Sequence, residues 1–319
     1  MLRGSRRRPQ PDASSASPEH TANTSCGDPA DQQSAIVSEA GDGAVGHILE
    51  FMAFDSYRIV LTAALLAAGC SRSAEPSRWP AGTIVDLSHD YSDQTIFWPT
   101  AESFRLEKVA DGVTPQGYYY AANNFAAAEH GGTHIDAPVH FAKGHWSVDQ
   151  IPLDRLIGDV VVIDVTSPGA RQPDYRVTMD DFTAWEKGNG EIAAGAIVLV
   201  RTGYSKYWPD AVKYLGTAER GEGAVPKLHF PGLHPDAAKW LAEARRIKAV
   251  GIDTASIDYG QSTMYETHRI LYERDIPAFE NMTNLDRLPA RGALIVALPM
   301  KIKGGSGAPL RAIAILPAR

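Results

Sequence analysis

The sequence is short of cysteine. Its 319 residues include two, Cys26 and Cys70, and both precede the stretch that reads as a folded domain, so that domain has no disulfide framework. Long apolar runs are missing too. The most apolar stretch, Ile59 to Gly69, is roughly half the ~20 residues that a membrane-spanning helix requires. Basic residues are outnumbered, 31 Lys and Arg against 38 Asp and Glu, and the one basic cluster is Arg6-Arg7-Arg8. That removes the electrostatic footprint of a nucleic-acid binder. What remains, 44% hydrophobic and 22% charged residues, is the profile of a soluble globular chain with one good-sized core.

The first 80 residues differ from the rest. Residues 1–51 are rich in Ser, Ala, Pro and Gly without apolar periodicity, and are expected to be disordered or an upstream extension produced by start-site choice. Met52 then opens a segment with one basic residue, Arg58, the apolar run and Cys70, which is the layout of a secretory signal peptide. Leu65-Leu66-Ala67-Ala68-Gly69-Cys70 resembles a bacterial lipoprotein cleavage box, although Ala67 stands where Leu is usual. A buried apolar helix is the alternative reading. The expectation is an exported protein, periplasmic or lipid-anchored through Cys70, with 52–70 as signal peptide, 71–80 as linker and 81–319 as one domain. Taking the 5 basic and 8 acidic residues of positions 1–70 from the totals leaves 26 and 30, a mildly acidic remainder.

From about Thr83, short apolar β-branched segments alternate with amphipathic ones, which predicts an α/β domain: a mixed central sheet covered by helices. Interior strands are expected at Asp159 to Val165, Ala196 to Arg201, Lys248 to Asp253, Leu294 to Leu298 and Arg311 to Leu316. Helices are expected at Met179 to Lys187, Pro235 to Arg245 and Met264 to Arg274.

The informative segment runs from Glu129 to Phe141, where His130, His134, Asp136 and His140 fall within eleven residues around Gly131-Gly132. In an extended chain His134, Asp136 and His140 share one face, and the two glycines let the chain bend so that His130 returns to it. Imidazole nitrogen with carboxylate oxygen is the ligand set for Zn²⁺ or Mn²⁺, and three protein ligands leave vertices open for water. Spacing alone leaves His140 as a fourth ligand, a general base or a structural donor. Glu129 faces away from His130 in an extended chain and reads as a supporting or surface group.

His-Gly-Gly-Thr-His-Ile-Asp-Ala-Pro-Val-His-Phe resembles the HxGTHxDxPxHF signature of the cyclase-like metal hydrolases, which include bacterial kynurenine formamidases and isatin hydrolases. The flanks Val85 to His89, Ile151 to Ile157, Gly251 to Asp258 and Leu298 to Lys301 share the resemblance, so it covers about 81–319. It implies a swivelling β/β/α type of fold, His130, His134 and Asp136 as ligands, and His140 as the proton-transferring residue. His268 and Glu280 are implied as ligands of a second ion bridged by Asp136, as in the formamidase branch. The isatin hydrolase branch implies a single Mn²⁺, with Gln261 in the segment that would give a further oxygen ligand. A dimer or tetramer is also implied.

Metal-activated water attacking a small aryl formamide or cyclic amide is therefore the expected chemistry. A lactone or other acyl hydrolase, or a metal-dependent binder without turnover, is the alternative. Phe97-Trp98 and Tyr118-Tyr119-Tyr120 are the expected aromatic walls for a flat substrate, with core packing as their other reading.

Overall fold

The computed structural model describes residues 82–169 and 172–317. The expected extension, signal segment, Cys70 and linker lie outside them. Twelve strands are present among the described residues: β1 (Ile84–Asp86), β2 (Arg105–Val113), β3 (Tyr119–Ala126), β4 (His134–Asp136), β5 (Ile157–Asp164), β6 (Arg176–Val177), β7 (Ile197–Arg201), β8 (Gly232–Leu233), β9 (Ala249–Ile252), β10 (Ala278–Glu280), β11 (Arg291–Pro299) and β12 (Gly307–Ile315). Three helices matter below: α1 (Met179–Asn189), α2 (Pro235–Trp240) and α3 (Glu266–Tyr272).

Eight strands form one mixed sheet in the order β1-β12-β11-β5-β7-β9-β10-β4, and β4 also pairs with β12. That last pairing closes the sheet into a barrel. The long strand β12 permits it by dividing its length: Gly307 to Pro309 pair with β4, while Leu310 to Ile315 pair with β11. The parallel run β5-β7-β9-β10 is the buried, β-branched part, as expected for strands covered on both faces.

The two-residue period of a strand decides which side chain goes where. Val160, Val162, Ile197, Leu199, Ile135, Phe279 and Ile295 belong to one buried cluster, to which every barrel strand contributes, so it is the barrel interior. Val161, Ile163, Val198, Val200 and Ala278 join Phe182, Leu241, Leu271 and Tyr272 in a second cluster, between barrel and helices. Each fully buried Leu, Ile or Phe in these clusters contributes on the order of 1.5–3 kcal/mol. Because Ile135 and Phe279 point inward, His134, Asp136 and Glu280 point outward, toward the helices.

The five expected strands all form, each flanked by at least two neighbours. Helix α1 starts as the sequence suggests, with the Thr178 amide donating to Asp181 Oδ2 at 2.7 Å, and stops at Gly190, φ 84°. The helix expected over 235–245 is α2 followed by a wider π turn, Leu241–Arg245. Helix α3 is shorter than expected because Tyr265, at φ 46°, cannot be its first turn. The hairpin β2–β3 was not foreseen. It stands as a separate two-stranded sheet with nearly every residue exposed, so its side chains leave no buried-face alternation to read.

Candidate metal centre

Strand β4 is three residues long and wholly buried, with β10 on one side and β12 on the other. Register brings Glu280 opposite His134, and Gly307 opposite Asp136. Gly307 leaves room there: a Cβ on it would lie 2.5 Å from the His130 ring. Helix α3 lies over these side chains and supplies His268 and, one turn on, Tyr272.

The result is two groups of ligand-type atoms that share Asp136. His130, His134 and Asp136 offer atoms within 4.8 Å of one another, and so do Asp136, His268 and Glu280. His130 Nδ1 is 2.7 Å and His134 Nε2 3.1 Å from Asp136 Oδ1. On the other oxygen, His268 Nε2 is 3.5 Å from Asp136 Oδ2 and 3.2 Å from Glu280 Oε1. Every ion-pair partner of Asp136 and Glu280 among the described residues is an imidazole. Two carboxylates buried among groups that are neutral once deprotonated lack a fixed positive charge, and a buried charge without a partner is costly. A divalent cation supplies that charge, and nitrogen with oxygen donors suits Zn²⁺ or Mn²⁺. The residues fit the ion.

Hydrogen bonds from the far side orient the donors. His134 Nδ1 donates to the Gly132 carbonyl at 3.0 Å, and His268 Nδ1 donates to Asp258 Oδ2 at 2.6 Å. A carbonyl and an ionised carboxylate only accept, so both rings donate from Nδ1 and turn Nε2 toward Asp136 and Glu280, the nitrogen each ring would offer to an ion. Tyr272 donates its hydroxyl to Asp136 Oδ2 at 3.0 Å, and Glu280 Oε1 accepts the Ile257 amide at 2.7 Å. Burial pushes the Asp136 carboxyl up, but the His130 charge and bonds from His130, His134 and His268 outweigh it and hold Asp136 well below the usual range.

The turn before β4 is equally fixed. Thr133 Oγ1 donates to the Asn281 carbonyl at 2.7 Å and accepts the His89 amide at 2.8 Å, as a residue holding the turn should. Gly132 takes φ 58°, and a Cβ on Gly131 would lie 2.0 Å from the Phe97 ring. Both glycines are therefore required, one for backbone angle and one for space.

His140 reaches the centre by a route that the sequence did not suggest. It ends a 3₁₀ turn, Pro138–His140, and is not on the strand. Its ring stacks on His130 at 3.9 Å, and its Nε2 stays 3.9 Å from Asp136 Oδ2, too far for a hydrogen bond. Burial, with the charges of His130, His268 and His134, outweighs Asp136 and lowers its pKa to about 4. At neutral pH His140 is an uncharged imidazole facing a cavity of about 330 Å³. Phe97, Trp98, Phe141 and Tyr265 line the cavity along with the four histidines, Asp136 and Glu280. Tyr265 sits in left-handed backbone, a strain of about 1–3 kcal/mol for a non-glycine residue.

Two expectations need correction. Gln261 is not at the centre: its amide donates to the carbonyls of Leu228 and Pro226, which ties it to the 226–228 turn. Tyr118, Tyr119 and Tyr120 are 59%, 64% and 52% exposed on the β2–β3 hairpin and do not line the cavity. Their clustering in sequence said nothing about which element carries them.

Asp258, Tyr272, Asn281 and Tyr265 went unread. Tyr272 alone had a usable signal, four residues after His268 on the same helix face. Glu129, expected as a supporting or surface group, accepts the Ser306 amide at 2.9 Å and the Ser306 hydroxyl at 2.7 Å, and Ser306 Oγ lies 2.9 Å from His130 Nε2.

The chain is similar to known proteins over most of its length. Residues 85–259 match the Cyclase family, described as putative cyclase. An isatin hydrolase of Roseibium aggregatum is 34% identical over 75% of this chain and 88% of its own. A kynurenine formamidase of Salinibacter ruber is 30% identical over 72% of this chain and 96% of its own. Among solved structures, an isatin hydrolase bound to the product analogue thioisatinate superposes with a TM-score of 0.66 at 30% identity, covering 84% of this chain and 100% of that one.

Proposed function

We propose that this chain, which belongs to the cyclase family and is a metal-dependent amide hydrolase, cleaves the C–N bond of a small aryl formamide or cyclic aryl amide. The reading rests on one observation: two ligand groups joined through Asp136 open into an aromatic-walled cavity beside the neutral His140. We assign His130, His134 and Asp136 to one Zn²⁺ or Mn²⁺, and His268 and Glu280, with Asp136 shared, to a second. When bound, such an ion polarises a carbonyl and brings the pKa of water down from 15.7 toward ~7.

The chain's own groups do the rest. His140 Nε2 takes the proton released as water adds to the carbonyl carbon. It then gives that proton to the departing nitrogen, since an amide anion leaves poorly. Asp258 and Gly132 hold His268 and His134 in the required tautomer. Tyr272 steadies the shared carboxylate. The apolar rings exclude water from around the reacting amide and present flat surfaces to an aryl group.

Two further assignments accompany this function. We assign the chain to an exported location, periplasmic or anchored at Cys70, on the signal-like segment 52–70; mass spectrometry of native protein that finds peptides from 1–51 would remove that support. We also assign a homo-oligomer, because Leu106, Val109, Val113, Tyr118, Tyr119, Tyr120 and Phe125 are all exposed on one hairpin, and exposed apolar side chains grouped on one element suit an interface.

The test of the function is hydrolysis of isatin and of N-formylkynurenine, before chelation, after it, and after metal is restored. Turnover of either that is lost and regained supports the reading. Activity indifferent to chelation, or turnover of neither amide, contradicts it.

A further inference from the structure

One member of the cavity's aromatic wall sits where a tyrosine is least expected. Tyr265 precedes α3 with φ 46° and ψ 45°, a left-handed conformation that glycine or asparagine adopts far more readily than a bulky side chain. It occupies the N-cap position yet accepts nothing from the helix, which Ser, Thr, Asp or Asn would do there. Neither the backbone nor the helix end is served by the ring. The ring lines the cavity.

There it touches Phe141, at a centroid separation of 5.2 Å, and Trp98, at 6.4 Å, so the three rings make one continuous apolar surface. The imidazole of His268 is 6.2 Å from the Tyr265 ring. The strained turn is held from behind. The Tyr265 amide donates to Ser262 Oγ at 3.2 Å, and that hydroxyl donates to Asp258 Oδ1 at 3.1 Å. Asp258 Oδ2 accepts the hydrogen bond from His268 Nδ1. One carboxylate thus fixes both the imidazole and, through Ser262, the position of the ring.

A wall already locked in place loses little freedom when a ligand arrives, and ring pairs attract at separations of ~4.5–7 Å. Building on the amide-hydrolase reading, we propose that Tyr265 is the specificity-determining residue of this site, its ring selecting substrates that carry a flat aromatic ring beside the scissile amide. Ser262 and Asp258 are its positioning residues.

The test uses two variants of the metal-loaded chain. Tyr265→Gly relieves the turn and removes the ring; Tyr265→Phe keeps the ring and drops the hydroxyl. For each, calorimetry gives the affinity for thioisatinate and the Tm, and kinetics give the ratio of kcat/KM for isatin to that for N-formylglycine, a formamide without a ring. Tyr265→Gly is expected to weaken thioisatinate binding and lower that ratio, each by about tenfold or more, with a Tm equal to or above wild type. Tyr265→Phe should stay within roughly threefold on both.

Equal thioisatinate affinity in wild type and Tyr265→Gly, including no binding by either, overturns the proposal. So does equal impairment of Tyr265→Phe, or a loss of affinity accompanied by a lower Tm, which would make Tyr265 a structural residue. Wild type that turns over neither amide defeats the amide-hydrolase reading instead, and the thioisatinate comparison still decides the role of Tyr265.

Discussion

Asp258 Oδ2 lies 2.6 Å from Nδ1 of His268, and the same carboxylate accepts the backbone amides of Thr267 and His268 at 3.3 and 3.2 Å. The imidazole is thereby fixed in rotation, and its Nε2 is aimed at Asp136 and Glu280.

Replacing Asp258 by Asn keeps the shape but lets the amide present a donor to Nδ1. Supporting groups of this kind typically contribute about 10–100-fold in metal affinity. Titration of the metal-free variant is expected to show that loss for one of two ions, with the other unchanged. An unaltered titration would mean that His268 is not a ligand.

Removing His140 and removing Asp136 should have different consequences. His140→Ala is expected to retain metal and lose most of its turnover, on the order of 10²–10⁴-fold for a general acid–base group. Asp136→Ala is expected to lose metal and turnover together. Metal analysis with kinetics on both variants checks this, and equal metal loss in the two would make His140 a ligand.

Gly131→Ala would put a methyl group 2.0 Å from the Phe97 ring, which is itself buried. The ring must shift into the cavity or the turn must open. Overpacking of this kind costs about 1–3 kcal/mol, so chemical denaturation should show a loss of that size together with a raised KM. A variant as stable as wild type would mean that the Phe97 site is looser than its packing indicates.

Through His89 the fold should lose stability on mild acidification. Burial lowers the His89 pKa to about 4, with Asp90 opposing, and its Nε2 is buried without a partner while the ring stacks on Trp208 at 4.2 Å. The folded-state value lies below the unfolded 6.5, so the unfolded chain binds the extra proton first as pH drops. The contribution is complete above about 6.5 and is lost as pH falls to about 4; it is on the order of 3 kcal/mol. His89→Gln in metal-free protein should flatten that part of the Tm against pH curve. A curve unchanged by the substitution would remove His89 as its source.

Much of this site was legible before any fold was known, and the reason is local density. His130, His134 and Asp136 converge through a three-residue strand and a glycine turn, both written within seven residues. Strand interiors were legible for a similar reason: Val160 to Ile163 feed two cores by simple alternation. Contacts made by strand pairing were not. Glu280 meets His134 only because β10 pairs with β4, which no spacing announces, so His268 and Glu280 came from family resemblance. Gln261 stands away from the centre because the distant 226–228 turn captures its amide, which no spacing announces either. The hairpin escaped notice because both of its faces are exposed, leaving its Tyr and Phe residues no pattern tied to a core.

Anomalous diffraction from crystals grown with Mn²⁺ or Zn²⁺ tests the central claim most directly. A peak within coordination distance of His130, His134 and Asp136 is predicted, with a second between Asp136, His268 and Glu280. Metal bound elsewhere, or these side chains turned away from any peak, would contradict the account.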